Sequence, residues 1–392
     1  MRAFDVIVIG GGIAGVSVAY ELSNDRSVCV LEMESALAFH TTGRSAATFL
    51  EALGTDQIRA LSTGSRAFLE DPPDFIESPP MSPLPLIMYA KHGRSAEVEA
   101  FNAEVSRWVP NSRLLTAAEV IEICPVMKLD HVESGFLDPN SKELDVLAIH
   151  QGYVRGFRAN SGHIEKSTRV VEAKRVGSHW ELTTASGESY SAEVIVNATG
   201  AWGDEVATVA GITPSGLIPK VRSIFLVNSP QGDATKDLPI VGDIDGAYYF
   251  KPEGHQFLCS PMDQTPSEPC DASADTLEIA RAIDEVNNAT TLNIKSVNSS
   301  WGGLRTFAPD DNPVVGYEAN AEGFFWMVGQ GGYGIQTSPA MARLSASLVR
   351  GTRSRRTKST HLRKLLGTNN GSMWIRNKPV TGHSGPRLRT VI

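Results

Sequence analysis

A chain of 392 residues with 36 Lys and Arg against 44 Asp and Glu has the length of two or three domain-sized units and the make-up of an ordinary soluble globular protein. No run of about eighteen apolar residues occurs, which argues against a membrane-spanning helix. The net charge of −8 is that of an acidic body, which argues against a nucleic-acid partner.

That charge is unevenly spread. Residues 351–392 hold ten Lys and Arg and no acid, so the first 350 carry 26 basic groups against 44 acidic ones. The tail is rich in Ser, Thr, Asn and Gly, lacks an apolar pattern and is expected to be disordered. The N-terminus enters a strand directly, with no secretory leader pattern. The four cysteines, Cys29, Cys124, Cys259 and Cys270, form no CxxC and no cluster with His. They read as reduced thiols in a cytoplasmic protein.

Asp5-Val6-Ile7-Val8-Ile9 is a short apolar run rich in β-branched residues. Gly10-Gly11-Gly12-Ile13-Ala14-Gly15 follows, then a helical stretch from Val16 to Leu22, then a second buried strand from Ser27 to Leu31 that ends on Glu32. Strand, glycine turn, helix, strand and acid form the dinucleotide-binding fingerprint in its required context. Gly10 permits the tight turn, Gly12 lets the backbone approach a pyrophosphate, and Gly15 lets the helix pack close to the strand. The helix N-terminus offers N–H groups and partial positive charge to phosphates, while Glu32 accepts hydrogen bonds from a ribose. A carboxylate there repels a 2′-phosphate, which disfavours NADP and leaves FAD and NAD.

His40-Thr41-Thr42-Gly43-Arg44-Ser45-Ala46-Ala47-Thr48 is dominated by small and hydroxyl residues, with one Arg. Such a stretch lies flat along a cofactor or serves as a polar loop capping a helix. Helices are predicted over 55–69 and 95–109, and a third from Thr116, where Thr116 and Glu119 make a capping box and Pro125 ends the run. A passage with Pro79, Pro80, Pro83 and Pro85 lies among them. This block carries no obvious chemistry and reads as an insertion that returns the chain to the first domain. Asp145 caps a helix running to about Asn160. Strands are expected over 164–173, 179–184 and 193–196. The last runs into Asn197-Ala198-Thr199-Gly200-Ala201-Trp202, where the sheet meets the cofactor a second time.

From Gly216 the pattern changes. Residues 217–227, 247–252 and 256–259 have strand composition with turns between them and no room for crossover helices, which predicts an antiparallel sheet. A helix over 277–288 is expected to cover it. Arg222, Tyr248 and Tyr249 stand out there as polar groups. Trp301 to Asp310 follows, and Phe324 to Val328 is a last buried strand. It breaks at Gly329-Gln330-Gly331-Gly332-Tyr333-Gly334-Ile335-Gln336-Thr337 before a helix from Ser338 to Arg350. The N–H groups of this second glycine turn suit an electron-rich ring atom or an anion.

Five landmarks in this order, Gly10–Gly15 with Glu32, Thr42–Ala47, Asn197–Trp202, Gly303–Asp310 and Gly329–Thr337, resemble the FAD-dependent amino acid oxidoreductases of the D-amino acid oxidase and glycine oxidase superfamily, over roughly residues 4–350. The phrases His40–Ala47, His150-Gln151-Gly152-Tyr153, Pro219–Ser223 and Gly329–Ser338 are similar to the D-arginine dehydrogenase branch. The resemblance implies an α/β FAD-binding domain, Rossmann-like and of glutathione-reductase type, built from 1–50, 140–215 and 318–350. It also implies an α+β substrate domain with an antiparallel sheet, built from 51–139 and 216–317, and leaves 351–392 as the basic tail.

By the same resemblance, Gly10, Gly12, Ile13, Ala14 and Gly15 hold the pyrophosphate, and Glu32 and Met33 the adenosine. Thr42, Gly43, Arg44, Ser45, Ala46, Ala47 and Thr48 run along the flavin, with Val170 by the adenine and Gly200 at the second cofactor turn. Gly331, Gly332, Tyr333, Gly334, Ile335, Gln336 and Thr337 meet the isoalloxazine ring. Arg222, Tyr249 and Arg305 clamp the substrate carboxylate, the carbonyl of Gly332 takes the α-amino group, and Thr48 is a hydrogen-bond partner near the flavin.

Residue chemistry agrees for the clamp, since two guanidinium groups and a phenol bind a carboxylate through charge-assisted bonds. The chain departs from the D-arginine branch at three places, with Thr48 for a His, Leu53 for a Tyr and Leu86 near the place of a Glu. An aliphatic side chain cannot offset a buried guanidinium charge, so a substrate with a neutral or apolar side chain is expected. Sarcosine oxidases link their flavin to a Cys just after the clamp Arg; here Thr306, Phe307 and Ala308 follow, so FAD is expected to be noncovalent. The implied reaction oxidises the Cα–N bond of a D-amino acid to an imino acid, then 2-oxo acid and ammonia, by hydride transfer to flavin N5. A quinone, a carrier or oxygen takes the electrons. Glycine, sarcosine or another secondary amine, a 2-hydroxy acid, a flavoprotein subunit of a larger dehydrogenase, and a flavin binder without catalysis stand as alternatives.

Overall fold

The computed structural model describes residues 1–230 and 232–351; the predicted basic tail, from 352 on, lies outside the described residues. The first sheet has eight strands. Edge to edge it runs Val170–Val176, His179–Thr184, Ser189–Asn197, Arg2–Ile9, Val28–Leu31 and His163–Glu165. Phe324–Val328 lies parallel to the C-terminal half of Ser189–Asn197, and Val314–Tyr317 is antiparallel to it. Arg2–Ile9 is parallel to both of its neighbours.

Successive residues of a strand point to opposite faces, and both faces of this sheet are covered. Val6, Val8, Val28 and Val30 meet Val18, Ala19 and Leu22 of the Ile13–Leu22 helix and Met341 and Ala346 of the Gly334–Val349 helix. Ile7, Ile9, Cys29 and Leu31 meet Trp180, Leu182 and Tyr190. That two-sided burial explains the continuous apolar runs.

The second sheet has nine strands, in the order Thr265–Pro266, Ile218–Asn228, Gln256–Ser260, Tyr249–Glu253, Ile240–Asp243, Leu86–Ala90, Ser134–Asp138 and Arg113–Thr116, with Ser299–Phe307 also paired to Ile218–Asn228. The expected wholly antiparallel sheet needs one correction: Ile240–Asp243 is parallel to Leu86–Ala90. Two separately wound sets of strands meet along that seam, one from 86–138 and one from 218–307. One face packs under Ile279, Ala282 and Val286 of the Thr276–Ala289 helix. The other carries Ile224, Ile240, Tyr249 and Leu258 and looks toward the first sheet. Thr48–Phe49, Lys142–Leu144 and Met81–Pro83 form a small third sheet.

Local signals placed most helices well. Thr55 caps Asp56–Glu70, Asp145 caps Val146–Ala159, and the Thr116–Glu119 capping box is present with both of its bonds. The surface helix predicted to 109 stops at Val105. The single strand predicted over 164–173 is broken, because the chain crosses the end of the Glu32 strand: the N–H groups of Ser167 and Thr168 donate to the carbonyls of Glu34 and Glu32. The last helix starts at Gly334 rather than Ser338. Pro339 lies inside it, and the Ile335 carbonyl that its missing N–H leaves free accepts from the Ser338 hydroxyl at 2.9 Å.

Candidate active site

Two cavities lie between the sheets. The larger, about 1140 Å³ out to its open mouth, follows the glycine turn. Gly10 has φ +107°, and a Cβ on Gly15 would stand 1.8 Å from the Gly10 carbonyl oxygen. Only two glycines allow the helix to start this close to the strand. The Ile13 N–H donates to the Thr42 hydroxyl at 3.0 Å, which ties the 40s loop to the first helical turn. Glu32 is buried, and its carboxylate accepts from the N–H groups of Gly11 at 2.7 Å and Glu34 at 2.8 Å. His150, in the Val146–Ala159 helix, bonds the Gly11 carbonyl through Nε2 at 3.0 Å, while its Nδ1 is buried without a partner. That pairing places the proton on Nε2. Burial pushes the ring below its ordinary value, against the Gly11 bond, so His150 is a neutral prop beneath the glycine turn.

Of the residues expected at the cofactor, Gly10, Gly12, Ile13, Ala14, Glu32, Met33, Thr42, Ser45, Val170, Gly200, Gly331, Gly332, Gly334 and Ile335 line this cleft. Gly15 lies beneath it, packed on Gly10. Gly43 is turned against Ala38, whose carbonyl accepts its N–H at 2.9 Å. The Thr337 hydroxyl is spent on the Tyr333 carbonyl at 2.9 Å. His40, from the stretch read as lying along a cofactor, and Leu304, from the Gly303–Asp310 landmark, also line the cleft, as does Thr168, which the sequence reading missed. The His40 ring lies 4.5 Å from that of Trp202.

The second cavity, about 770 Å³, is lined by Arg44, Ala46, Ala47, Thr48, Arg222, Tyr249, Arg305, Tyr333 and Gln336 among others. Ala46, Ala47, Thr48, Tyr333 and Gln336, expected along the flavin, therefore face this pocket rather than the cleft. Thr41, Ser45, Leu304, Gly332 and Ile335 line both cavities, which meet there.

Sheet register brings the polar groups together. Arg222 stands opposite Gly303, and Lys220 opposite Arg305, on antiparallel strands. Arg222 and Arg305 are thus diagonal neighbours on one face, within reach of long side chains. Tyr249 is opposite Ser260, and Cys259 is opposite Phe225, so Tyr249 shares that face with Ile224 and Arg222. Tyr248 points the other way, into the core, where its hydroxyl meets that of Tyr89 at 2.7 Å.

Arg222 is 3 % exposed. Its Nε donates to the Asp263 carbonyl at 2.9 Å, but both terminal nitrogens are buried and unpaired. The nearest carboxylate oxygen, Oδ1 of Asp263, is 4.0 Å from Nε and already accepts from the Ser223 N–H at 2.7 Å, while Oδ2 accepts from the Ser223 hydroxyl at 2.7 Å. Burial, and then the charge of Arg305, push the Arg222 guanidinium down to about 9, so it stays charged at neutral pH. A buried cation with unused donors beside a second cation is costly unless an anion joins it. No Asp, Glu or His lines this pocket among the described residues. A Cβ on Gly332, at φ +92°, would stand 2.7 Å from the Arg305 Nε; glycine there lets the guanidinium cross the backbone.

Leu50, Leu53, Ile224 and Ile240 supply the apolar wall. Leu86, expected to face the substrate side chain, is buried in the core instead; its register partner Ile240 takes that place.

The cleft fits FAD. It joins a phosphate-type glycine turn and a ribose-type acid at one end to the glycine turn beside the paired guanidiniums at the other. Cys29 and Cys124 are buried, which pushes both thiols up to about 12. Among the described residues no three His, Cys, Asp or Glu side chains are placed to hold a metal ion, and no helix is long and apolar enough to cross a membrane.

Comparison with known proteins gives the same picture. The profile of the DAO family, described as FAD dependent oxidoreductase, matches residues 5–348. The bovine FAD-dependent oxidoreductase domain-containing protein 1 is 26 % identical over 88 % of this chain and 81 % of its own length. Among solved structures, glycine oxidase from Geobacillus kaustophilus superposes with a TM-score of 0.80 at 19 % identity, covering 92 % of this chain and 98 % of its own. L-proline dehydrogenase from P. horikoshii does so with a TM-score of 0.79 at 18 % identity, covering 90 % and 95 %.

Proposed function

This chain belongs to the DAO family of FAD-dependent oxidoreductases, and we propose that it oxidises the Cα–N bond of a D-amino acid with a neutral or apolar side chain. The product is an imino acid that water converts to a 2-oxo acid and ammonia. FAD, held noncovalently by the glycine turn, Glu32 and the 331–335 turn, supplies the hydride acceptor when bound.

The chain's own residues orient the substrate. Arg222 and Arg305 hold its carboxylate, with Tyr249 as a third donor, and the Gly332 carbonyl accepts from the amine. Two fixed ends leave one Cα–H direction open, which is how positioning lowers the barrier. The two guanidiniums and the lack of any acid in the pocket lining favour the uncharged amine, so no side chain is needed as a base at the amine nitrogen. The apolar wall of Leu50, Leu53, Ile224 and Ile240 takes the side chain. The D-configuration rests on the sequence phrases similar to the D-arginine dehydrogenase branch.

The observation that carries this reading is the pair of buried, unpaired terminal nitrogens of Arg222. Anaerobic bleaching of the flavin absorbance by a panel of D- and L-amino acids, glycine, sarcosine and 2-hydroxy acids tests it. Fast bleaching by D-leucine or D-methionine supports it, and faster bleaching by D-arginine or D-lysine overturns the side-chain assignment. The acid-free pocket also suits a 2-hydroxy acid, and bleaching by those members alone would establish that second reading. Readmitting air afterwards separates oxygen from a quinone or carrier as the electron acceptor. The buried thiols fit a reducing compartment, and the cytoplasm is the proposed location.

A further inference from the structure

Arg44 lies in the loop that lines the cofactor cleft, yet its guanidinium is turned away from it. Nη1 donates to the carbonyls of Ala272 at 3.0 Å and Gly302 at 3.2 Å, and Nε donates to the Phe39 carbonyl at 3.3 Å. Nη2 pairs with the Asp271 carboxylate. In return the Trp301 indole N–H donates to the Arg44 carbonyl at 3.0 Å. The Thr41 hydroxyl donates to the Leu304 carbonyl at 2.8 Å.

These contacts share a geometry. Gly302, Trp301 and Leu304 all belong to the Ser299–Phe307 strand, and all lie within four residues of Arg305 on it. The loop at the other end, 39–45, lines the cofactor cleft through Phe39, His40, Thr41, Thr42 and Ser45. Arg44 therefore links the wall of the cofactor cleft to the strand that carries the more exposed half of the clamp. Asp271 is 65 % exposed, so that ion pair adds little by itself. The bonds from Arg44 to the Gly302 carbonyl and from Thr41 to the Leu304 carbonyl span the gap between loop and strand and hold the geometry.

We propose that Arg44 is a positioning residue for the substrate clamp, acting through the Arg305 strand, rather than a cofactor ligand. The inference rests on the carboxylate-site reading above. It makes the carboxylate site depend on the place of the cofactor loop. Arg305 reaches the junction of the two cavities only while Gly302 and Leu304 are pinned to residues 41–44.

The test uses FAD-loaded protein and benzoate as a simple carboxylate probe, read by its perturbation of the flavin absorbance. Wild type, Arg44→Met, Arg44→Lys and Trp301→Phe are compared, with FAD content and melting temperature measured on each. Arg44→Met is expected to keep its FAD and an unshifted flavin spectrum, while its benzoate affinity falls about tenfold or more, as for a misplaced binding group. Arg44→Lys, unable to reach all four acceptors at once, recovers part of that loss. Trp301→Phe, which removes the return bond and keeps an aromatic ring against the core, gives a smaller loss and decides the matter if Arg44→Met does not fold. Unchanged benzoate affinity in Arg44→Met or Trp301→Phe overturns the inference, as does loss of FAD with benzoate affinity intact after reconstitution. If wild type itself binds no benzoate, the carboxylate-site reading fails and this inference with it; if wild type binds and the variants match it, only the inference fails.

Discussion

Arg222 and Arg305 stand diagonally on one face of neighbouring antiparallel strands, Arg222 opposite Gly303 and Arg305 two residues beyond it. Two like charges held side by side work against folding and in favour of an anion. This opposition sets the first expectation. Arg222→Met removes a buried charge whose terminal nitrogens have no partner and replaces it with an apolar chain of similar length. In substrate-free, FAD-loaded protein it is expected to be neutral or stabilising, by about 1 to 4 kcal/mol, as for buried ions replaced by apolar residues. The same variant loses the carboxylate contact, and kcat/KM falls by roughly 10² to 10³, the range for losing a buried charge-assisted bond. Calorimetry and steady-state kinetics on one preparation check both halves. A melting temperature that falls together with activity would contradict the picture of an unsatisfied cation.

The apolar wall makes a specificity prediction. Leu53 lines the pocket beside Thr48 and is 2 % exposed. Leu53→Glu places an acid where a cationic substrate side chain would need one. The preference for D-arginine over D-leucine, as a ratio of kcat/KM, is expected to rise at least about tenfold, the value of one new charge pairing in a desolvated site. An unchanged ratio would remove the wall from the specificity argument.

His150 gives a pH dependence whose sign is set by burial. Its folded pKa is pushed below the ordinary 6.5, so below that pH the unfolded chain binds more protons than the folded one. Stability from this residue is fully present above 6.5 and is lost as pH falls toward the depressed value. Because the ring bonds the Gly11 carbonyl under the glycine turn, FAD release in acid should follow the same curve. His150→Gln keeps an N–H donor but no titrating group. It is expected to flatten both the melting temperature and the FAD retention between pH 6.5 and mildly acid pH.

Gly15→Ala places a methyl group 1.8 Å from the Gly10 carbonyl oxygen. The helix must then move off the strand, and the variant is expected to purify without FAD or to lose it on dilution. Gly93→Ala is the control, since Gly93 also has a positive φ, +83°, but nothing lies within 4 Å of where its new methyl group would stand. It bears only the backbone cost of about 1 kcal/mol and keeps its FAD. Equal FAD retention in both would rule out steric packing as the reason for Gly15.

Much of this was legible in the amino-acid order alone, and for local reasons. Strand, glycine turn, helix and acid from Val6 to Glu32 is a pattern of neighbours in sequence, and so are the caps at Thr116 and Asp145 and the buried run at Phe324–Val328. Each depends on contacts a few residues long, which side-chain type decides. The strand-like composition of 217–227 likewise announced a strand. Leu86–Ala90, Arg113–Thr116 and Ser134–Asp138 did not, because Leu86–Ala90 pairs with Ile240–Asp243 far along the chain and a helix, not a tight turn, separates Arg113–Thr116 from its partner Ser134–Asp138.

Side-chain direction was left to the tertiary structure. Arg44 and Ser45 are adjacent, yet Ser45 faces the cofactor cleft while the Arg44 guanidinium clasps Gly302 and Ala272. Tyr248 and Tyr249 are adjacent, yet one bonds Tyr89 in the core and the other joins Arg222 at the pocket. A strand's period of two separates the two tyrosines, whereas Arg44 and Ser45 part where a short 3-10 turn ends. Which face becomes core and which becomes site is decided by register between strands, Tyr249 opposite Ser260 and Arg222 opposite the distant Gly303, and no local preference encodes that choice. Sequence by itself thus determined the dinucleotide-binding turn and its acid, whereas only the pairing of Arg222 with Gly303 across two distant strands decided that two arginines would share one buried site.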